Sequence, residues 1–178
     1  MGAGKTSVGR ALAQRLHWLF EDLDDRIVRR QGRPIAEIFR DSGEPEFRRA
    51  EHAALQDLLD ELRGAGGRIV ALGGGAFVQK QNAALLQAAG VPTIFLDAPV
   101  DELWQRCCEQ SAALGTERPL LRSPEQFRNL YNARRKGYSQ ALTRIQTGNR
   151  SVDAIAAEIV ATFGLTKIAI RTEQGEVE

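Results

Sequence analysis

Lys5 and Thr6 stand directly after Gly2-Ala3-Gly4, a grouping suited to gripping phosphate. Glycines let backbone N–H groups turn in around phosphate oxygens, and the N-terminus of a following helix favours negative charge. The lysine would reach the outer phosphates of a nucleoside triphosphate, and the threonine hydroxyl would face Mg²⁺. Gly4-Lys5-Thr6, with Ser7 opening a helix, ends a loop of the form G-x-x-x-x-G-K-[ST] whose first glycine would fall upstream of Met1. The triplet alone is weak, so its meaning depends on the residues that follow.

Asp22 and Asp24 lie two apart at the end of an expected strand, where alternation would turn both carboxylates toward one cleft. Ligands bind at that end of open α/β sheets. One carboxylate could hold a Mg²⁺ water shell and the other a substrate hydroxyl; the plainer reading is a solvated turn that caps the next helix. Arg48 and Glu51 are helical neighbours, but Glu51 shares a line with the apolar Phe47, Ala54 and Leu58 and needs a partner there. A half-buried Arg48 would be a natural fork for a carboxylate. Gly73-Gly74-Gly75 follows an apolar strand, as expected where backbone must approach a ligand closely, or simply at a strand-to-helix turn. Arg118 sits in an irregular segment that could be a lid over phosphate or an exposed loop. Arg134 stands four residues before Tyr138 on one helix face. His17 reads as a helix-end residue and His52 as a surface residue.

The elements that would position these groups alternate. Helices are expected at residues 7–16, 42–62, 82–89, 100–107, 124–141 and 152–163, with two short ones around Gly32 and Pro34. Strands are expected at 17–20, 68–72, 93–96 and 142–146, and no clear period appears at 109–116. Such alternation predicts α/β architecture with a parallel sheet.

A chain of 178 residues with 43% hydrophobic and 26% charged residues is ordinary for one globular domain. The net charge of +1 gives no case for a nucleic-acid or membrane surface. No apolar run nears the roughly 20 residues of a membrane helix, and no secretory signal is visible. The adjacent Cys107 and Cys108 do not suggest a disulfide or a zinc site and fit a reducing compartment, so the cytoplasm is expected. Only four residues are lysines, which gives the one after Gly4 added weight.

Seven patterns in order resemble the shikimate kinase family. They are Met-Gly-Ala-Gly-Lys-Thr, Phe-x-Asp-x-Asp, Gly-x-x-Ile-x-x-Ile-Phe (Gly32 to Phe39), Gly-Glu-x-x-Phe-Arg-x-x-Glu, Gly-Gly-Gly, Arg-Pro-Leu-Leu and Arg-x-x-x-Tyr. The resemblance covers a kinase domain at residues 1–164, with a lid at about 108–122, and leaves a tail at 165–178. It implies a parallel-sheet, three-layer P-loop kinase fold like that of nucleoside monophosphate kinases. It implies ATP-dependent phosphorylation of the 3-hydroxyl of shikimate, on the route to chorismate and the aromatic amino acids, by a monomer that uses Mg²⁺. Carried over by pattern, Gly2, Ala3, Gly4, Lys5, Thr6 and Ser7 would bind the nucleotide, and Thr6 and Asp22 the metal. Asp24 would contact substrate hydroxyls and assist deprotonation, and Arg48 and Arg134 would grip the carboxylate. Gly73, Gly74 and Gly75 would line the hydroxyl side, Arg118 would close over the transferred group, and Arg106 would flank adenine.

Two departures accompany the match. The segment from Cys108 to Glu117 looks longer than the family's usual lid, and the first, central strand of the fold is missing from this chain. A chain start placed too late would explain the second, and Lys167-Ile168-Ala169-Ile170-Arg171 is a less favoured replacement strand. A gluconate-type kinase and a non-catalytic remnant are the alternative functions.

Overall fold

The computed structural model of the chain describes residues 2–62, 66–114 and 123–167. Helix α1 spans Lys5–Leu16 and begins directly after Gly4, whose positive φ of 78° lets the backbone turn into it. The predicted face is the buried one: Val8, Leu12 and Leu16 all lie in the core. His17 ends the helix in the left-handed conformation (φ 57°), in keeping with a helix-end role. Strand β1 is therefore Leu19–Asp22, later than the 17–20 expected.

Helix α2, Leu23–Gln31, follows without a loop, and Gly32 at φ 64° stops it. Helix α3, Ile35–Leu62, is broken at Gly43 (φ 76°, ψ 176°) into the two pieces the sequence predicted. That backbone conformation is open almost only to glycine. Next come β2 (Arg68–Ala71), α4 (Lys80–Ala88), β3 (Ile94–Asp97) and α5 (Val100–Leu114). The chain closes with α6 (Pro124–Tyr138), β4 (Thr143–Gln146) and α7 (Val152–Phe163). Two boundaries differ from expectation. The α5 helix continues through Leu114, so the segment from Cys108 begins as helix rather than irregular lid, and α6 stops at Tyr138 rather than Ala141.

The strands form two parallel pairs rather than one sheet. β1 lies beside β2, with Asp22 opposite Ala71, and β3 beside β4, with Asp97 opposite Gln146. Among the described residues neither β2 nor β3 pairs with a further strand. Both line a cavity of about 320 Å³, together with Val8, Leu12, Leu58 and Ile159. This division agrees with the expectation of an absent central strand. The tail segment considered as its replacement lies outside the described residues beyond Lys167.

The buried apolar side chains fall into two clusters. Side chains of α1, α5, α6 and α7 enclose β3 and β4 around Leu16, Leu103, Phe127 and Ile145. Side chains of α2, α3 and α4 form the second core around Leu23, Ile38, Leu55 and Leu58. Burying such side chains stabilises the fold by about 1.5–3 kcal/mol each.

Candidate active site

The loop into α1 supplies the first group of functional side chains. Gly2 and Gly4 both take positive φ, 63° and 78°. A Cβ at Gly2 would lie 2.4 Å from the Leu103 carbonyl oxygen, so only glycine fits without displacing α5. No side chain caps the N-terminus of α1. An uncapped helix start, wrapped by glycine backbone and followed by lysine, suits a phosphate group.

The acids converge on this loop, although not by the alternation expected from a strand. Asp22 ends β1, whereas Asp24 already belongs to the first turn of α2. Asp22 caps that helix: one carboxylate oxygen accepts from the Asp24 backbone N–H at 3.1 Å. Its other oxygen accepts from the Thr6 hydroxyl at 3.0 Å. The helix-cap reading and the ligand reading of Asp22 thus use different oxygens of one carboxylate.

Burial pushes the half-buried Lys5 below the usual lysine range, while Asp24 and Asp22 pull it back up. Burial, reinforced by Asp22, raises Asp24 above the usual carboxylate range, and Lys5 opposes the shift. Lys5 and Asp24 therefore share one electrostatic environment in which ionisation is costly.

The second group lies on α3. Glu51 is buried, at 1% exposure, and burial raises its carboxyl above the usual range while Arg48 opposes the shift. Arg48 donates to Glu51 at 2.9 Å and to Glu44 at 2.8 Å. Burial weakens its charge, but those bonds outweigh it and raise Arg48. The predicted partner of Glu51 is thus correct. Its guanidinium also stacks over Phe47, 5.1 Å from the ring centre. His52 differs from expectation: it is half-buried, and its Nδ1 lies 2.7 Å from the Asn82 side-chain oxygen.

The three glycines after β2 tie these groups together. A Cβ at Gly73 would come within 2.8 Å of an Asp24 oxygen, and one at Gly75 within 2.6 Å of Arg48 Nη1. Between them, the Gly74 carbonyl accepts from Arg134 Nη1 at 3.4 Å and from the Tyr138 hydroxyl. Close approach of side chains thus accounts for Gly73 and Gly75. Lys5, Gly73 and Gly74 also line the cavity between the strand pairs.

Arg106 lies apart from this cluster, across the end of β3. It pairs with Glu102 and donates to the Thr147 carbonyl at 3.1 Å. The buried Asp97 nearby accepts from the Tyr131 hydroxyl and pairs with Arg144. Sequence reading missed this network, although Asp97 at a strand end followed by Ala98-Pro99 was a signal. Arg118 lies outside the described residues.

The residues fit a metal–nucleotide complex. Thr6 and Asp22 offer two oxygens at 3.0 Å beside the loop. Among the described residues no group of three or more His, Cys, Asp or Glu side chains could hold an ion alone. Magnesium on a nucleotide typically uses one or two protein oxygens, with phosphates and waters completing the shell.

Comparison with known proteins identifies the family. The family model described as "Shikimate kinase" matches residues 1–163. A shikimate kinase from Geobacter sulfurreducens is 42% identical over 166 residues, 92% of this chain and 86% of the relative. The solved shikimate kinase from Acinetobacter baumannii, in complex with shikimate, superposes with a TM-score of 0.80 at 32% identity, covering 92% of this chain and 88% of that one. The Aquifex aeolicus enzyme gives a TM-score of 0.75 at 26% identity, covering 92% and 91%. With the family model matched over nearly the whole described chain and a relative at 42% identity, the chain belongs to the shikimate kinase family.

Proposed function

We infer that the chain is an ATP-dependent kinase that transfers the γ-phosphoryl group of ATP to the 3-hydroxyl of shikimate, giving shikimate 3-phosphate for chorismate and aromatic amino acid synthesis. The observation that carries this is the meeting of Asp24, Arg48 and Arg134 on the Gly73–Gly75 segment, with Lys5 beside Asp24. A small hydroxylated acid needs cationic forks at one end and a carboxylate acceptor at the other.

In this reading Gly2, Ala3, Gly4 and Ser7 surround the phosphates with backbone donors, and Lys5 neutralises their outer charge. Thr6 and Asp22 would hold Mg²⁺, which neutralises charge on the phosphates when bound. Asp24 accepts a hydrogen bond from the acceptor hydroxyl, orients its oxygen toward phosphorus and can take its proton. Its raised pKa makes it a better proton acceptor than an ordinary aspartate once ionised. Arg48, pre-ordered by Glu44 and Glu51, and Arg134 bind the substrate carboxylate. Gly73, Gly74 and Gly75 leave room for the hydroxyl side. By family resemblance Arg118 closes over the transferred group and Arg106 flanks adenine. The enzyme acts as a cytoplasmic monomer, with residues 1–164 as its kinase domain and 165–178 as a tail.

The test is ADP release coupled to shikimate with Mg-ATP. Turnover is expected, and its absence from folded protein overturns the reading. Arg48→Ala should raise the shikimate KM by about tenfold or more, the scale of a lost charge-assisted hydrogen bond. An unchanged KM would favour a neutral acceptor, as for a gluconate-type kinase.

A further inference from the structure

Tyr138 closes α6 four residues after Arg134, and both reach the same atom. The Gly74 carbonyl oxygen accepts from the Tyr138 hydroxyl and from Arg134 Nη1. A carbonyl has two lone pairs, so both donors can be satisfied together. Gly74 is also the middle of the segment whose outer members touch Asp24 and Arg48. A shift of its carbonyl would move the contacts to both.

The tyrosine ring is held independently of its hydroxyl. It packs on Phe95 of β3, with ring centres 5.3 Å apart. Its neighbour Gly137 lies so close to the turn after the glycines that an added Cβ would come within 2.8 Å of Val78 Cγ1. The ring thus rests on the second strand pair while the hydroxyl grips the loop leaving the first. Burial raises the Tyr138 pKa above its ordinary range, so the hydroxyl stays a donor into more alkaline solution than that of an exposed tyrosine. Tyr131, seven residues earlier on the same helix, anchors α6 differently: its hydroxyl donates to Asp97, at the end of β3.

We propose that Tyr138 is a positioning residue for the acceptor site: its hydroxyl pins the Gly74 carbonyl and so sets the spacing between Arg134 and the Asp24 and Arg48 side of the site. This inference rests on the acceptor reading above. Losing one hydrogen bond to a neutral group corresponds to a factor of about three to ten. Tyr138→Phe should therefore raise the shikimate KM by about three- to tenfold, with the ATP KM unchanged and kcat lowered less than twofold. Tyr131→Phe serves as the comparison, because general loosening of α6 would affect both variants alike.

Steady-state kinetics on the wild type and both variants, with melting temperatures, decides the matter. A rise in shikimate KM for Tyr138→Phe that Tyr131→Phe does not share supports the assignment. An unchanged shikimate KM, an equal rise in both variants, or a parallel rise in ATP KM overturns it. Absence of shikimate turnover by the wild type overturns the functional reading and this inference together. Wild-type turnover with a silent Tyr138→Phe overturns this inference alone.

Discussion

The two walls of the site are built on opposite electrostatic plans. On the wall holding the glycine loop before α1, Lys5 and Asp24 are displaced from their ordinary pKa values in opposite directions, and both displacements disfavour charge. On the α3 wall, Arg48 is surrounded by carboxylates and its charge is reinforced. The first wall holds ionisable groups under tension, as suits a place where charge moves during reaction. The second holds a fixed cation, as suits a place that only binds. In the proposed reading, the first wall carries the catalytic role and the second the anchoring one.

The largest expected effect tests the first wall. Lys5→Ala should lower kcat by about 10²–10³-fold, the scale of losing one donor to developing charge, while shikimate binding measured without nucleotide stays near wild type. Equal loss of shikimate binding would erase the distinction between the walls. A smaller effect is expected on the second wall from Gly75→Ala. Its methyl group would sit 2.6 Å from Arg48 Nη1 and push the guanidinium out of place. The shikimate KM should rise about tenfold with little change in ATP KM. A normal shikimate KM would show that the fork is not where the substrate binds.

The mildest test is pH. Asp24 is raised above the 3.8 of an unburied aspartate, so the folded state holds its proton to higher pH than the unfolded chain does. Stability contributed by this group is therefore greatest at low pH and declines as pH rises from 3.8 through the folded pKa. Activity should run the other way, with an acid limb in kcat/KM above the ordinary aspartate range that disappears in Asp24→Asn. Arg48→Lys should leave the position of that limb unchanged. A limb that moves with Arg48 would mean the walls titrate together.

The sequence disclosed the first wall more readily than the second. Lys5, Thr6, Asp22 and Asp24 lie within 20 residues, and their types carry the chemistry. Even so, Asp24 was reached by the wrong argument. The helix begins at Leu23, and an Asp22 cap rather than strand alternation brings the next carboxylate round. Glu51 was legible because a carboxylate on an apolar line demands a partner. The Gly74 meeting point was not, since it joins residues 60 and 64 positions apart, and no local pattern reports a shared carbonyl. Likewise, α5 continues where no periodicity was visible, because Glu109 to Ala112 offer mostly small or polar side chains to an otherwise ordinary helix.

The cavity between β2 and β3 carries a mechanical consequence. Space enclosed by a fold but filled by water once the chain opens makes unfolding contract the system, so compression favours the open state. Whatever part of the roughly 320 Å³ between the two strand pairs excludes water should lower the chain's resistance to hydrostatic pressure. Helix α1 bridges that space, since its core side chains join β3 and β4 while the helix also packs on β1 and β2, so the two pairs should part only as α1 is released.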